Sequence, residues 1–397
     1  MSKMYYRELY CGSPVRFWAG LALLGSIVAI GLGAAFYMEH NGHWVTGMSN
    51  QIVWGLPHVF AIFLIVAASG ALNVASIGSV FGGPLYKPLG RYSSLLAIGL
   101  LAGGLTVLVL DLGRPDRLIV AMTQYNFKSI FAWNVILYTG FFAIVGIYLW
   151  TMIDRTVNKY YLTAGFAAFF WRIALTTGTG SIFGFLVARE AYDAAIMAPM
   201  FVIMSFSYGL AFFIVTLIAA YIWGDREIGD FRLAKLKNLL GVFVGAVLYF
   251  TLAYHLTNLY ITQHHGVERF ILLDGGIYTQ MFWIGQIFIG SIVPLFLIYS
   301  PAFEKSRWAI VAASIAVLIG GFFQMYVIVI GGQAYPMTLF PGKEIVESGF
   351  FDGQVASYVP TFPEAALGVA GIAVALTMVA IGARLFKVFP ETLEDHT

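Results

Sequence analysis

"YSSLLAIGLLAGGLTVLVLDLGRPDR", residues 92–117, carries no charged side chain until Asp111, then places Asp111, Arg114, Asp116 and Arg117 around a Gly-Arg-Pro turn. An α-helix rises about 1.5 Å per residue and a bilayer core is about 30 Å thick, so about 20 apolar residues make one crossing. The stretch from Tyr92 to Asp111 has that length, and the polar turn marks where it reaches water. Nine more stretches qualify by the same test. They lie near 15–38, 52–79, 129–152, 160–187, 196–223, 239–262, 277–300, 308–331 and 364–388, which together with 92–111 predict an all-α integral membrane protein of ten spans.

Composition agrees. Of 397 residues, 60% are hydrophobic and 11% charged, with a mean hydropathy of +0.83, where soluble domains carry roughly a quarter charged residues. The net charge of +2 leaves no basic face for nucleic acid. Cys11 is the single cysteine. It can form no internal disulfide, no C-x-x-C-H haem attachment and no four-thiolate iron–sulfur nest, so such centres belong to a partner. The apolar stretch after the polar start "MSKMYYRELYCGSPVR" is too long for a signal-peptide core and reads as a retained first helix.

Lys and Arg number fifteen on the side of the termini and of the 2–3, 4–5, 6–7 and 8–9 connections, against six on the other. The positive-inside rule then places both termini in the cytoplasm of a multi-pass membrane protein. The 6–7 connection, "GDREIGDFRLAKLKN", is the most basic and has an amphipathic pattern. Residues 111–128 lie outside, yet carry Arg114, Arg117 and Lys128 against the trend, which suggests a use for them. The expected organisation is a cytoplasmic segment 1–14, span 1 with a first four-helix bundle over 15–190, a second bundle over 191–331, an outer cap loop 332–363, and span 10 with the C-terminus over 364–397. An offset of 150 aligns "KSIFAWNVILYTG" with "YTQMFWIGQIFIG", matching Trp133 with Trp283 and Gly140 with Gly290. A duplication would make spans 2–5 and 6–9 equivalent bundles flanked by spans 1 and 10.

Ionisable groups at membrane depth cost about 2.5–3.5 kcal/mol each on insertion scales, so each needs a reason. His58 in "VWGLPHVFAIFL", Asp111, the pair Trp133 and Asn134, and the pair Arg189 and Glu190 reach similar depth at the outer ends of spans 2 to 5. If those spans form one bundle, the groups surround one pocket. A quinone head group suits such a set, because its two oxygens need hydrogen-bond partners and one must exchange a proton. Histidine and an adjacent carboxylate supply that, and Trp54, Phe60 and Trp133 offer apolar walls. His58 is read equally well as a histidine bonded to a neighbouring helix, and Asp111 with Arg114 as a capped turn anchored in head groups. Arg172, with Thr176 and Thr179 on the same helix face, is either part of a wet proton stripe with Glu190 and His255 or an arginine held by backbone carbonyls. His58 and His255 at similar depth leave open a b-type haem. No P-loop, nucleophile elbow or H-x-x-x-H zinc pair is present.

"WGLPH" at span 2, "LDLGRPDR" closing span 3 and "NFKSIFAWN" opening span 4 resemble the NrfD/PsrC family, the quinone-interacting membrane subunits of polysulfide reductase-like complexes. The ten-span length and "GFFDGQVASYVP" look most like the membrane subunit of sulfite-reductase-linked complexes. The resemblance implies a chain that holds no haem or iron–sulfur cluster and binds menaquinone or ubiquinone near the outer face. It implies a periplasmic ferredoxin-like iron–sulfur subunit, a multihaem cytochrome c and other membrane or cytoplasmic subunits as partners. On this reading the chain is part of a quinol:acceptor oxidoreductase in a prokaryotic cytoplasmic membrane, linked to sulfur-compound metabolism and proton translocation. The family's pocket carries onto His58, Asp111, Arg114 and Trp133, with Trp54 and Asn134 beside them. His58 departs from relatives that have a carboxylate or other polar group near its place. A secondary transporter with a mid-membrane site at Arg172 is the alternative class; a haem-b anchor is a further one.

Overall fold

The computed structural model describes residues 5–304, 306–337, 354–391 and 393. Ten long helices follow one another: α1 Pro14–Asn41, α2 Leu56–Ser79, α3 Lys87–Leu110, α4 Ile130–Ile153, α5 Tyr161–Gly184, α6 Met197–Trp223, α7 Asp230–Tyr260, α8 Ile277–Tyr299, α9 Arg307–Ala334 and α10 Phe362–Leu385. Among the described residues, all but α5 are apolar enough over 18 residues to count as membrane spans on hydropathy. The 24 residues of α5 match the others in length, but Arg172, four threonines and four glycines dilute its hydropathy. The chain is a multi-pass membrane protein.

Helix ends follow local chemistry. Ser13 accepts from the Val15 amide at the start of α1, with Pro14 in the first turn. Thr361 and Glu364 form a reciprocal capping box on α10. Two boundaries differ from those expected. Helix α2 starts at Leu56 rather than near 52, because Pro57 sits in its first turn and Gly55 before it is extended. Helix α7 starts at Asp230, inside the basic 6–7 connection, so the amphipathic segment is the first turns of the helix, with Asp230 favourable at its positive end. The expected cap begins inside α9, whose last residues are Gly332–Ala334, and its 338–353 part lies outside the described residues.

Helix α2 packs on α3, α5, α6 and α9 and is the most enclosed of the ten, which is why its sequence is apolar all round. Helix α3 touches α4 and α4 touches α5; in the other half α6 touches α7 and α9, and α8 lies against α7 and α9. Helix α1 rests on α10, which rests on α2 and α3. Gly70 of α2 and Gly209 of α6 face each other so closely that a Cβ on either would collide with the opposing backbone, the close approach that small residues allow between helices in lipid. The residues matched by the 150-residue offset do comparable things. Trp133 and Trp283 each donate the indole N–H at 2.9 Å to a carbonyl of the preceding connection, Phe127 O and Leu272 O. Gly140 admits Trp171 of α5 against α4, and Gly290 meets Gly320 where α8 crosses α9.

At the face shared by the termini, β1 (Tyr6–Arg7) pairs antiparallel with β2 (Phe389–Pro390). Ile228 bridges to Leu393 and the Arg226 guanidinium donates to Glu8 O, so both chain ends and the 6–7 connection are tied together.

Candidate functional site

The five residues before α2, Gln51 to Gly55, lie outside any helix, and their backbone is held by partners far along the chain. Gln333 Oε1 accepts from the Val53 and Trp54 amides at 3.0 Å, and its Nε2 donates to Trp54 O at 2.9 Å. Arg189 spans Gln333 O and Gln51 O at 2.9 and 2.8 Å. The Leu56 amide donates to the Tyr358 hydroxyl, which donates to Glu364 Oε1, both at 2.6 Å. The turn that presents His58 is therefore fixed by α9, by the α5–α6 connection and by the segment entering α10. Burial and the Glu364 carboxylate raise the Tyr358 hydroxyl well above its ordinary value, so it stays protonated and keeps donating.

Asp111 terminates α3, its amide still bonded to Val107 O at 3.1 Å, and its side chain is fully buried. His58 Nδ1 lies 2.6 Å from Asp111 Oδ2. The approach is too oblique for a hydrogen bond, however, and His58 Nδ1 and both Asp111 oxygens are buried without a hydrogen-bond partner. An unsatisfied buried group costs about 1–3 kcal/mol, more when charged, so a polar ligand that bonded these atoms would be stabilised here. The Trp54 ring stacks on His58, centroids 6.3 Å apart, and also meets Phe131, Phe183 and Tyr192. A buried acid and an imidazole under an aromatic wall can bind a flat polar ring and exchange a proton with it.

The other residues expected at this site are not all gathered there. The Arg114 guanidinium is exposed and makes two hydrogen bonds to Asp116, at 3.0 and 2.9 Å, with no bond to Asp111. Gly113, at φ +69°, turns the chain away after Asp111. Trp133 is nearly half exposed and bonded to Phe127 O. Asn134 is buried and bridges α4 to α5 by donating to Ile130 O and Gly178 O at 2.9 and 3.1 Å, while its Oδ1 lacks a partner.

Arg172 is buried on α5 with its guanidinium 5.0 and 5.1 Å from the Phe169 and Phe206 ring centroids, its Nε and Nη1 without partners. Thr176 donates to Ser69 Oγ at 2.5 Å and to Arg172 O, and Thr179 donates to Leu175 O at 3.0 Å. Glu190 is half-buried outside the spans, and burial raises its carboxyl above the usual range, with nearby His264 opposing the shift. His255 meets Glu268, which sequence reasoning passed over; Nδ1 and Oε2 are 2.6 Å apart in true hydrogen-bond geometry. The signal was the acid in "HHGVERF", which reads as a solvated connection until it folds back. Among the described residues, no group of three or more His, Cys, Asp or Glu could hold a metal ion.

The family model described as "Polysulphide reductase, NrfD" matches residues 44–337. The chain is 27% identical over 387 residues to the Hdr-like menaquinol oxidoreductase integral membrane subunit of Archaeoglobus fulgidus, covering 96% of this chain and 95% of that one. It is 27% identical to a putative dimethyl sulfoxide reductase membrane subunit of Halobacterium salinarum, covering 94% and 91%. It is 23% identical to a selenate reductase subunit of Mesobacillus selenatarsenatis, covering 94% and 95%. These matches do not single out the sulfite-reductase-linked subgroup.

Proposed function

The chain belongs to the NrfD family, and from that premise we propose that it is the quinone-interacting membrane subunit of a respiratory electron-transfer complex, acting with other subunits rather than as an enzyme alone. The observation that carries the reading is the unsatisfied His58–Asp111 pair beneath Trp54. Its orphaned atoms match what a quinol needs: a nitrogen and a carboxylate close together, walled by aromatics, at the ends of α2 and α3.

A quinone head group supplies the two-electron, two-proton couple. His58 Nε2, which has no protein partner among the described residues, hydrogen-bonds one ring oxygen; Asp111 accepts one of the two protons released on oxidation by way of the imidazole, and the second passes to water at the outer face. Trp54 orients the ring, Asn134 Oδ1 is a further acceptor on α4 without a partner among the described residues, and Trp133 flanks the mouth. Arg114, occupied by Asp116, sits at the rim, where an iron–sulfur protein and a cytochrome c receive the electrons at the outer face of a prokaryotic cytoplasmic membrane. Menaquinol as donor is supported by the Archaeoglobus relative, whose name is that of a menaquinol oxidoreductase component. Arg172, Thr176, Thr179 and Glu190 are the candidates for carrying protons near this half. A transporter centred on Arg172 is less well supported, since Phe169 and Phe206 flank its guanidinium.

The test is menaquinol oxidation by the complex purified with its partners, with bound quinone extracted and identified. His58→Ala with Asp111→Asn is expected to lower the rate by about a hundredfold or more, the lower range for lost acid–base catalysis. A rate at the wild-type level in that double variant overturns the assignment.

A further inference from the structure

The second half of the molecule holds a buried polar network that the quinone reading does not use. Helix α7 carries Thr251, Tyr254, His255 and Asn258 on one side, and the short helix His265–Arg269 folds back to set Glu268 against His255. Both Glu268 oxygens and both ends of the Asn258 amide are matched. Glu268 Oε2 bonds His255 Nδ1 at 2.6 Å, Glu268 Oε1 accepts from Asn258 Nδ2 at 2.9 Å, and Asn258 Oδ1 meets His264 Nδ1 at 3.0 Å. Phe282 of α8 packs edge-on against the His255 ring, 4.8 Å between centroids. The one group left over is His255 Nε2, for which the described residues provide no partner.

Beside the pair lies a cavity of about 40 Å³, lined on its polar side by Thr251, His255, Glu268, Gln286 and Gln324. A water needs about 10–15 Å³ of such volume, so two or three fit and a quinone ring does not. A second space of about 10 Å³ shares Gln286 and Gln324 and adds Tyr208 and Ser291, room for one water at most. Tyr208 donates to Gln324 Oε1 at 2.5 Å and Gln324 donates to Thr251 at 3.3 Å. Both helices that bring the glutamines widen into π-helical turns here, over Met281–Ile292 and Val327–Gly331, a distortion found mostly at functional sites. Towards the other face α7 presents Val247, Val244 and Gly241 before the next polar side chain on that stripe, Lys237. The polar file on α7 therefore stops in mid-membrane, short of Lys237.

We propose that His255 and Glu268 form a proton-loading site served by water from the outer face. With Nδ1–H bonded to the Glu268 carboxylate the pair carries one net negative charge. A proton delivered through the cavity waters binds His255 Nε2 and makes the pair neutral; its return to the same waters restores the charge. No bond other than N–H changes and no electron moves. The other titratable groups around the pair are Tyr254 on α7, His264 in the connection, Arg189 and Glu190 from the α5–α6 connection and Tyr335 beyond α9. The site needs no quinone and goes beyond the function proposed above.

The test is a pH titration of the full-length chain in lipid bilayers, followed by solid-state NMR of nitrogen-labelled histidine. Among the seven imidazole signals, one titrating signal is expected to vanish in His255→Gln. In the shape-conserving Glu268→Gln its proton affinity is expected to fall at least tenfold, because the negative partner is gone. In Asp111→Asn it is expected to titrate as in the wild type, which separates this site from the quinone site. An unchanged midpoint in Glu268→Gln, no titrating signal assignable to His255, or loss of the signal in Asp111→Asn overturns the proposal.

Discussion

Among the described residues, two histidine–carboxylate pairs are in close contact, one in each half, with the same 2.6 Å separation and the same 13% exposure of the histidine side chain. Their surroundings differ. Glu268 has both oxygens bonded by protein groups, whereas Asp111 has neither, and only the His255 contact reaches hydrogen-bond geometry. A closed network holds its members in place and can only gain or lose a proton. An open one has atoms still to be satisfied and so can bind a polar molecule. Distance alone would have equated them.

The largest effect that could break this contrast is on turnover. Asp111→Asn alone is expected to slow menaquinol oxidation by the complex at least tenfold, and Glu268→Gln by less than threefold; equal losses would mean the two pairs do one job. Next comes the scaffold of the open pair. Gln333→Leu strips partners from the Val53 and Trp54 amides and Trp54 O, costing about 1–3 kcal/mol for unsatisfied buried groups. It should raise KM for menaquinol more than it lowers kcat, because it loosens Trp54 and leaves the carboxylate in place. A kcat loss with KM unchanged would show that the loop does not position the ring.

A smaller effect separates the halves by pH. Burial raises the Glu190 carboxyl, so the folded protein holds that proton more tightly than the unfolded chain does. Its contribution to stability is then full below the ordinary glutamate range and is lost as pH rises through the raised value. Thermal melts of Glu190→Gln should lack that decline; a decline equal to the wild type's assigns it to another group. Smallest of all, Arg114→Ala removes an exposed pair with Asp116, which solvent screens so well that folding should be unaffected. It should leave menaquinol oxidation with a soluble acceptor intact while weakening transfer to the native partner subunits.

Much of this is legible in the sequence, for reasons that can be named. Each span announces itself because a bilayer demands length and apolarity, and even α5, diluted by Arg172, is apolar over enough of its length to be recognised. His58 and Asp111 stand out because charge in lipid is costly, and both lie at the same face, at the start of α2 and the end of α3. Arg114 is expected beside Asp111, but Asp116 is two residues away and the φ of Gly113 turns the chain, so a local partner wins over a distant one. Glu268 escapes because a short polar connection looks the same whether it faces water or folds inward. Gln333 is invisible for a different reason: its role is to bond a loop 280 residues earlier, and no local pattern records that.

The tie between the chain's two ends bears on how the molecule is made. Helix α1, first to enter the membrane, lies mainly against α10, the last, and Tyr6–Arg7 pairs with Phe389–Pro390. During synthesis α1 must therefore wait in lipid, without its partner, while eight helices are inserted. The latch can close only after Phe389–Pro390 has been made, so its closure follows the arrival of α10.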